Sequence, residues 1–228
     1  MTNNDIPADL PPIQLLITAC PATDDPGDRY AWLNGFCLLT IQPRHHTVEL
    51  TGEVRVGHRH AENAALVRYL AEAIDEEAVL AGYDLHDTIS RLGRLPIGAD
   101  QPTPAIALLS KLKRMLEAHV PLDVGWNDDT RRTVHNLSVE HDLELSGDIA
   151  PYCEARVVGD EAIDRSHARE GNDPLAVELA DNAGACLLAL GETYLPEELG
   201  PQIIAAWQRW RRSQVPVFPP SPTLVVSR

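Results

Sequence analysis

Residues 80–96, LAGYDLHDTISRLGRLP, hold the pattern that decides the fold of this chain. The apolar run at residues 79–83 is interrupted only by Gly82, which is typical of a short β-strand buried on both faces. Asp84 follows and predicts a helix N-cap, because its carboxylate can accept amides of the first helical turn. Asp87 comes three residues later. Open α/β sheets bind ligands beyond the C-terminal ends of their strands, so this stretch predicts either a functional site or an ordinary capped helix.

Length and composition favour a globular protein. The chain has 228 residues, of which 44% are hydrophobic and 23% charged, enough for one α/β domain or two small ones. No apolar run could span a membrane, and residues 1–12 are polar and acidic, so we expect a flexible N-terminal tail and a cytoplasmic protein. The cysteines are far apart in sequence, which predicts reduced thiols rather than a zinc site; they are Cys20, Cys37, Cys153 and Cys186.

The charge of the chain bears on its partners. The formal net charge is -15 and the pI is about 4.9. Non-specific binding to nucleic acid depends on Lys and Arg that displace counterions from phosphates, so this charge disfavours nucleic acid as a partner. Bound metal ions can screen the charge of an acidic site, so a protein that acts on nucleic acid is not excluded by this net charge. No GxSxG, Walker A or GxGxxG motif occurs, which leaves serine hydrolases and nucleotide-dependent enzymes unsupported.

The hydrophobic periodicity predicts three strands, a helix, a strand, two helices, a strand and further helices. The predicted strands are residues 13–18, 32–41, 47–56, 79–83 and 120–124. Helices are predicted at residues 60–76, from Asp84, from Pro104 and at residues 201–212. In the helix from Pro104 the predicted core stripe is Ile106, Leu109, Leu112 and Leu116. This order indicates an α/β fold in which a three-strand antiparallel meander is extended by parallel strands into a five-stranded mixed sheet.

The element order and residues 80–96 together resemble the DEDD 3'-5' exonucleases, which have an RNase H-like fold. The chain is most similar in layout to predicted exonucleases related to the proofreading domain of family B DNA polymerases. The resemblance implies an RNase H-like domain at residues 13–195, followed by a C-terminal helix and Pro-rich tail at residues 196–228. It departs from the family's second motif, because Asp84 replaces the usual Asn, the step to Asp87 is three rather than four, and His86 replaces an aromatic residue.

The resemblance also implies a set of ligands. Family members hold two Mg²⁺ or Mn²⁺ ions with four acids at the end of a phosphodiester chain. Residues 131–145, RRTVHNLSVEHDLEL, resemble a helix of the family. Residues 171–190, GNDPLAVELADNAGACLLAL, resemble the long helix of its third motif, and Asp181 matches the Asp of that motif. Asp87 and Asp181 are thus the implied catalytic residues and metal ligands, with Asp84 as a substitute ligand.

Four motif positions lack the residues that the family uses. Thr18 and Cys20 stand where the first strand of the family supplies an Asp and a Glu. A hydroxyl is a weak ligand for Mg²⁺ and a thiol is a soft one. Val177 and Ala176 stand where a Tyr or a His orients the attacking water. The motif therefore predicts an eroded metal site.

Other side chains are weaker candidates for ligands. The acids of the loop after the first strand could fold back over the strand end, although turn formation explains them more simply; they are Asp24, Asp25 and Asp28. Four histidines could bind a transition metal or be ordinary loop residues; they are His45, His46, His58 and His60.

Three functions remain open from the sequence. The first is a pseudo-exonuclease that binds nucleic acid weakly, or binds a protein partner, without hydrolysis. The second is an active metal-dependent 3'-5' exonuclease with a rearranged set of acids. The third is an interaction module that contacts a protein partner through Trp207 and Trp210, for which core packing is the alternative.

Overall fold

The computed structural model describes residues 11–20, 33–44, 47–57, 60–95, 104–140 and 174–213. Within these residues lie five strands and six α-helices. The strands are β1 Ile13–Ala19, β2 Gly35–Arg44, β3 Thr47–Val56, β4 Val79–Gly82 and β5 Leu122–Asp123. The helices are α1 His60–Ala73, α2 Leu85–Leu92, α3 Pro104–Ala118, α4 Asp128–Glu140, α5 Pro174–Thr193 and α6 Gly200–Ser213, with a 3₁₀ turn at Glu197–Leu199 before α6.

The strands form one mixed sheet in the order β3-β2-β1-β4-β5. The first three strands pair antiparallel, with Ile17 of β1 opposite Cys37 of β2. β1 pairs with β4 in parallel, and β4 pairs with β5 in parallel. This is the topology of the RNase H-like fold, and it confirms the α/β class and mixed sheet predicted from the sequence.

The central strand β1 divides the core into two halves. Because side chains alternate along a strand, Leu15 and Ile17 point to one face of the sheet and Leu16 to the other. Helices α4, α5 and α6 cover the first face, and helices α1, α2 and α3 cover the second. All three of these β1 side chains are less than 5% exposed, and such burial is worth about 1.5–3 kcal/mol for each large aliphatic side chain.

Some predicted boundaries and one predicted core residue are wrong. β2 begins at Gly35 rather than residue 32, and β5 is only Leu122–Asp123. In α3 the buried residues are Ala105, Leu108, Leu112 and Met115, whereas the predicted core residue Ile106 is 46% exposed. Both sets have helical spacing, and the packing of α3 against α1 selects the one that is buried.

Both predicted tails lie mostly outside the described residues. Of the N-terminal tail, residues 1–10 are outside, but the Pro12 carbonyl accepts the Val79 N–H at 2.8 Å and so belongs to the sheet region. Residues 141–145, 171–173 and 214–228 are also outside. None of the helices in the described part of the chain combines the length and apolar composition that a membrane span requires.

Candidate functional site at the carboxyl edge of the sheet

The chain turns sharply where β4 passes into α2. A Cβ at Gly82 would lie 3.0 Å from the Leu16 carbonyl oxygen and 2.5 Å from a methyl group of Leu85, so only glycine fits between β1 and α2. Asp84 then adopts a left-handed conformation, with φ 48° and ψ 59°. Non-glycine residues in this region carry strain of about 1–2 kcal/mol. Asp84 is the N-cap of α2 and accepts the Asp87 N–H at 3.4 Å, which confirms the predicted cap.

Asp123 at the end of β5 holds this turn in place, and the sequence analysis missed it. Its Oδ1 accepts the backbone N–H groups of Asp84 and Gly125, each at 2.8 Å. Its Oδ2 accepts the N–H of Leu85 at 2.8 Å. The sequence did carry a signal for Asp123. It lies in a strand predicted to run parallel to β4, and the carboxyl ends of parallel strands meet at one edge of the sheet.

An arginine from α4 completes the turn. The Arg131 Nε donates to the Gly125 carbonyl at 2.7 Å, and its Nη2 lies 3.4 Å from the Asp84 carboxylate. Both side chains are partly exposed, so solvent weakens this ion pair. Asp84 is therefore engaged by a backbone amide and by a guanidinium of its own chain.

Asp87 is paired with the arginine one turn later in α2. The Arg91 Nε lies 2.6 Å from the Asp87 carboxylate, and the Arg91 Nη1 donates to the Cys20 carbonyl at 3.1 Å. Cys20 directly follows β1 and is the second of the two first-strand motif positions. The guanidinium thus links the second-motif acid to the end of the first strand.

The two positions at the end of β1 that resemble the first motif lie on one face of the sheet. Thr18 and Cys20 are two residues apart and share the face of the sheet that α1, α2 and α3 cover. Cys20 is only 1% exposed and packs in that core half with Leu33 and Phe36. In α5, Ala176 is also buried, at 4% exposed, in the opposite core half.

Asp181 lies in α5, on the other face of the sheet from α2. Its side chain is 3% exposed, and its Oδ1 lies 2.6 Å from Nη2 of Arg211 in α6. Asp87 and Asp181 thus belong to helices on opposite faces and each pairs with a different arginine. Their role as metal ligands stays a prediction.

Among the described residues, the donor set does not fit a two-ion centre. Asp84, Asp87 and Asp181 each bind a guanidinium, and the first-strand positions carry no carboxylate. In the residues that the structure describes, no group of three or more His, Cys, Asp or Glu side chains is placed to hold a metal ion. The loop acids and loop histidines considered above lie outside those residues, apart from His60, whose side chain is not described.

Burial raises the pKa of several ionisable groups near α5. Desolvation raises the pKa of Tyr83 to about 12. Its hydroxyl is buried and has no hydrogen-bond partner among the described residues. Burial also raises the pKa of the Cys37 and Cys186 thiols, so both are protonated at neutral pH. Cys20, Cys37 and Cys186 are buried and form no disulfide among the described residues, and Cys153 lies outside those residues.

The tryptophans divide between core and surface. Trp207 and Trp210 are 5% and 6% exposed and belong to the core half under α5. Of the two predicted roles, their burial fits core packing and not an exposed contact surface. Trp126, in the turn between β5 and α4, is 66% exposed. It lies at the carboxyl edge of the sheet, and a hydrogen bond from Trp126 to Tyr194 opposes the rise in the pKa of Tyr194 caused by burial.

Comparisons with protein-family models, with curated proteins and with solved structures gave no match to this chain. The structure itself establishes an RNase H-like topology. Asp84 and Asp87 lie at the turn after β4, Asp181 lies in α5 on the other face of the sheet, and each of the three pairs with an arginine of the same chain.

Proposed function

We propose that this chain is an exonuclease-like domain of the RNase H-like fold that works by binding and does not hydrolyse nucleic acid. The observation that carries the proposal is the position of Arg91, whose guanidinium bonds both to the Asp87 carboxylate and to the Cys20 carbonyl. These are the second-motif acid and the end of the first strand, between which the exonuclease family is expected to hold its ions.

The charges support this proposal. Two-metal hydrolysis needs several carboxylate oxygens that converge on cations and that carry a net negative charge before the ions bind. A guanidinium beside a carboxylate offsets that charge, more at the buried carboxylate of Asp181 than at Asp84 and Asp87, whose partly exposed pairs are weakened by solvent. Here three arginines act in this way on the three retained acids, as described above. A divalent ion would have to displace them while it gained no ligand from Thr18 or Cys20.

One observation favours the alternative, an active enzyme with a rearranged acid set. Asp123 is an additional carboxylate at the same edge, within hydrogen-bond distance of the Asp84 backbone. Its two oxygens, however, already accept three backbone N–H groups. Release of Asp123 to a metal would leave those amides unpaired and would release the strained Asp84, so this alternative requires the turn to open.

Two kinds of partner are consistent with the binding function that we propose, and their chemistry distinguishes them. A single-stranded nucleic acid would need arginines that are free to meet phosphates, which a net charge of -15 disfavours, and its binding would weaken steeply with added salt. A protein partner would need an exposed apolar contact. Trp126 offers such a contact at the carboxyl edge, whereas Trp207 and Trp210 are buried.

The proposal is tested by incubating the purified chain with 5'-labelled single-stranded DNA and RNA in Mg²⁺ and in Mn²⁺. We expect no shortening of either substrate, and the same result for Asp87→Ala and for the control Asp129→Ala, which changes a side chain that is 90% exposed. Metal-dependent trimming from the 3' end that Asp87→Ala abolishes and Asp129→Ala preserves would refute the proposal and establish the enzyme. Fluorescence anisotropy of the same oligonucleotides at low and high salt measures the binding itself.

A further inference from the structure

Asp181 forms an ion pair in which the carboxylate is buried and the side chain of its partner, Arg211, is 44% exposed. The Asp181 side chain is 3% exposed, and its carboxylate lies 2.6 Å from the guanidinium of Arg211. The two residues belong to different helices, Asp181 to α5 and Arg211 to α6. The contact therefore ties α6, the last described helix, to a buried carboxylate of α5.

The packing of α6 aims Arg211 at this carboxylate. The guanidinium lies 5.7 Å from the centre of the Trp207 ring, a distance that allows a cation–π contact. Trp207 in turn packs against Gly184 of α5 so closely that a Cβ there would lie 2.5 Å from the indole ring. One helical turn beyond Trp207, the Trp210 Nε1 donates to the Gly52 carbonyl of β3 at 3.2 Å. α6 is thus held by α5 on one side and by the edge strand on the other.

A buried carboxylate in a core needs compensation of its charge. Removing an ionised carboxyl group from water is unfavourable unless a cation or several donors replace the lost hydration. In the exonuclease family, metal ions supply that positive charge to the third-motif acid. In this chain the Arg211 guanidinium supplies positive charge to the carboxylate and, being part of the chain, cannot be lost from it as a metal ion can.

We propose that Arg211 is the permanent counter-ion of Asp181, and that α6 is a latch closed over the third-motif position. The latch makes α6 part of the folded domain instead of a C-terminal extension. It also makes the closure of α6 depend on charge: without the guanidinium, the buried carboxylate opposes the packing of α6. This inference goes beyond the proposed function, since it concerns what replaces the metal ions and where the domain ends.

The test compares the unfolding midpoints of matched variants in thermal denaturation. Arg211→Met removes the charge and retains an apolar chain, and Arg209→Met makes the same change at an exposed position of the same helix. We expect Arg211→Met to lower the midpoint clearly more than Arg209→Met. Adding Asp181→Asn to Arg211→Met should restore most of that loss, because the buried charge is then gone. Amide hydrogen exchange in α6 should be faster in Arg211→Met than in the parent and slower again in the double variant.

Equal midpoints for Arg211→Met and Arg209→Met would overturn the proposal, as would a double variant no more stable than Arg211→Met. If Arg211→Met does not fold, a folded double variant supports the latch, and an unfolded double variant refutes it. None of these readouts depends on nuclease activity. Trimming by the parent protein would therefore refute the proposed function and leave the latch intact, whereas an unchanged Arg211→Met would refute only the latch.

Discussion

The carboxylate of Asp123, at the end of β5, accepts the backbone N–H of Asp84, at the end of β4, at 2.8 Å. The same carboxylate also accepts the N–H groups of Leu85 and Gly125. One side chain therefore fixes a strained left-handed residue, satisfies the first amide of α2 and closes the turn after β5. Asp123, rather than Asp87, which resembles the acid of an exonuclease motif, thus joins the carboxyl ends of β4 and β5.

Asp123→Ala should lower the free energy of unfolding by about 2–3 kcal/mol, because three backbone donors lose a charged acceptor. Urea denaturation measures the change. Asp129→Ala is the control, since its side chain is 90% exposed and its ion pair with Arg132 is 3.5 Å long. A loss in Asp123→Ala no larger than in Asp129→Ala would mean that water replaces the acceptor at this edge.

Tyr83→Phe should leave the free energy of unfolding unchanged or raise it slightly. The Tyr83 hydroxyl is buried without a hydrogen-bond partner among the described residues, so its removal ends an uncompensated desolvation. Tyr194→Phe is the matched change, and it should cost about 0.5–1.5 kcal/mol because the Tyr194 hydroxyl donates to the Asp123 carbonyl at 3.0 Å. A larger loss for Tyr83→Phe than for Tyr194→Phe would show that the Tyr83 hydroxyl has a partner such as a bound water.

Alkaline pH should destabilise the protein through Tyr83. Burial raises the pKa of Tyr83 from 10.0 to about 12 in the folded chain. The unfolded chain therefore releases this proton first, so the stabilising contribution is fully present below pH 10 and is lost as the pH rises towards about 12. The ultraviolet absorbance of tyrosinate should show one late ionisation that is missing in Tyr83→Phe. Complete tyrosine ionisation in the folded protein near pH 10 would contradict this expectation.

Gly184→Ala should destabilise the protein by about 1–3 kcal/mol, because the added methyl group would lie 2.5 Å from the rigid Trp207 ring. Gly200→Ala provides the control: nothing lies within 4 Å of its new methyl group and its backbone is already helical. That change should be neutral or stabilising. Thermal unfolding of the two variants distinguishes them, and equal midpoints would indicate that α6 can shift away from α5 at no cost.

Restoring the missing first-strand acids should make the protein respond to metal. Thr18→Asp with Cys20→Glu places two charges beside the helix that carries Asp87, one of them at the buried Cys20 position, so the variant should be less stable than the parent without metal. Mn²⁺ that binds only the folded form should return about 2.7 kcal/mol at a hundred times its dissociation constant. Thr18→Asn with Cys20→Gln is the uncharged control. A midpoint that responds to Mn²⁺ no more than this control's would show that these positions do not face the Asp87 site.

Local patterns were enough to predict the element order. The alternation of β3, the helix start at Pro104 and the N-cap at Asp84 each depend on neighbours within a few residues, and the structure has all three. The order of those elements then restricts the sheet to few topologies, because parallel connections need helical crossovers. The RNase H-like fold class was therefore predictable from the amino-acid sequence, before any contact between distant residues was known.

Tertiary packing decided what the acids do. Asp84, Asp87 and Asp181 could be identified in sequence, but Arg131 is 47 residues from Asp84, and Arg211 is on another helix from Asp181. Helical spacing allowed either Ile106 or Ala105 in α3 to face the core, and only the contact with α1 selected Ala105. Periodicity defines which residues share a face, whereas burial and charge pairing depend on the elements that cover that face. The sequence thus determined the sheet, its helices and the i,i+4 spacing that pairs Asp87 with Arg91, whereas the packing of distant helices determined that Asp84 meets Arg131 and that Asp181 meets Arg211.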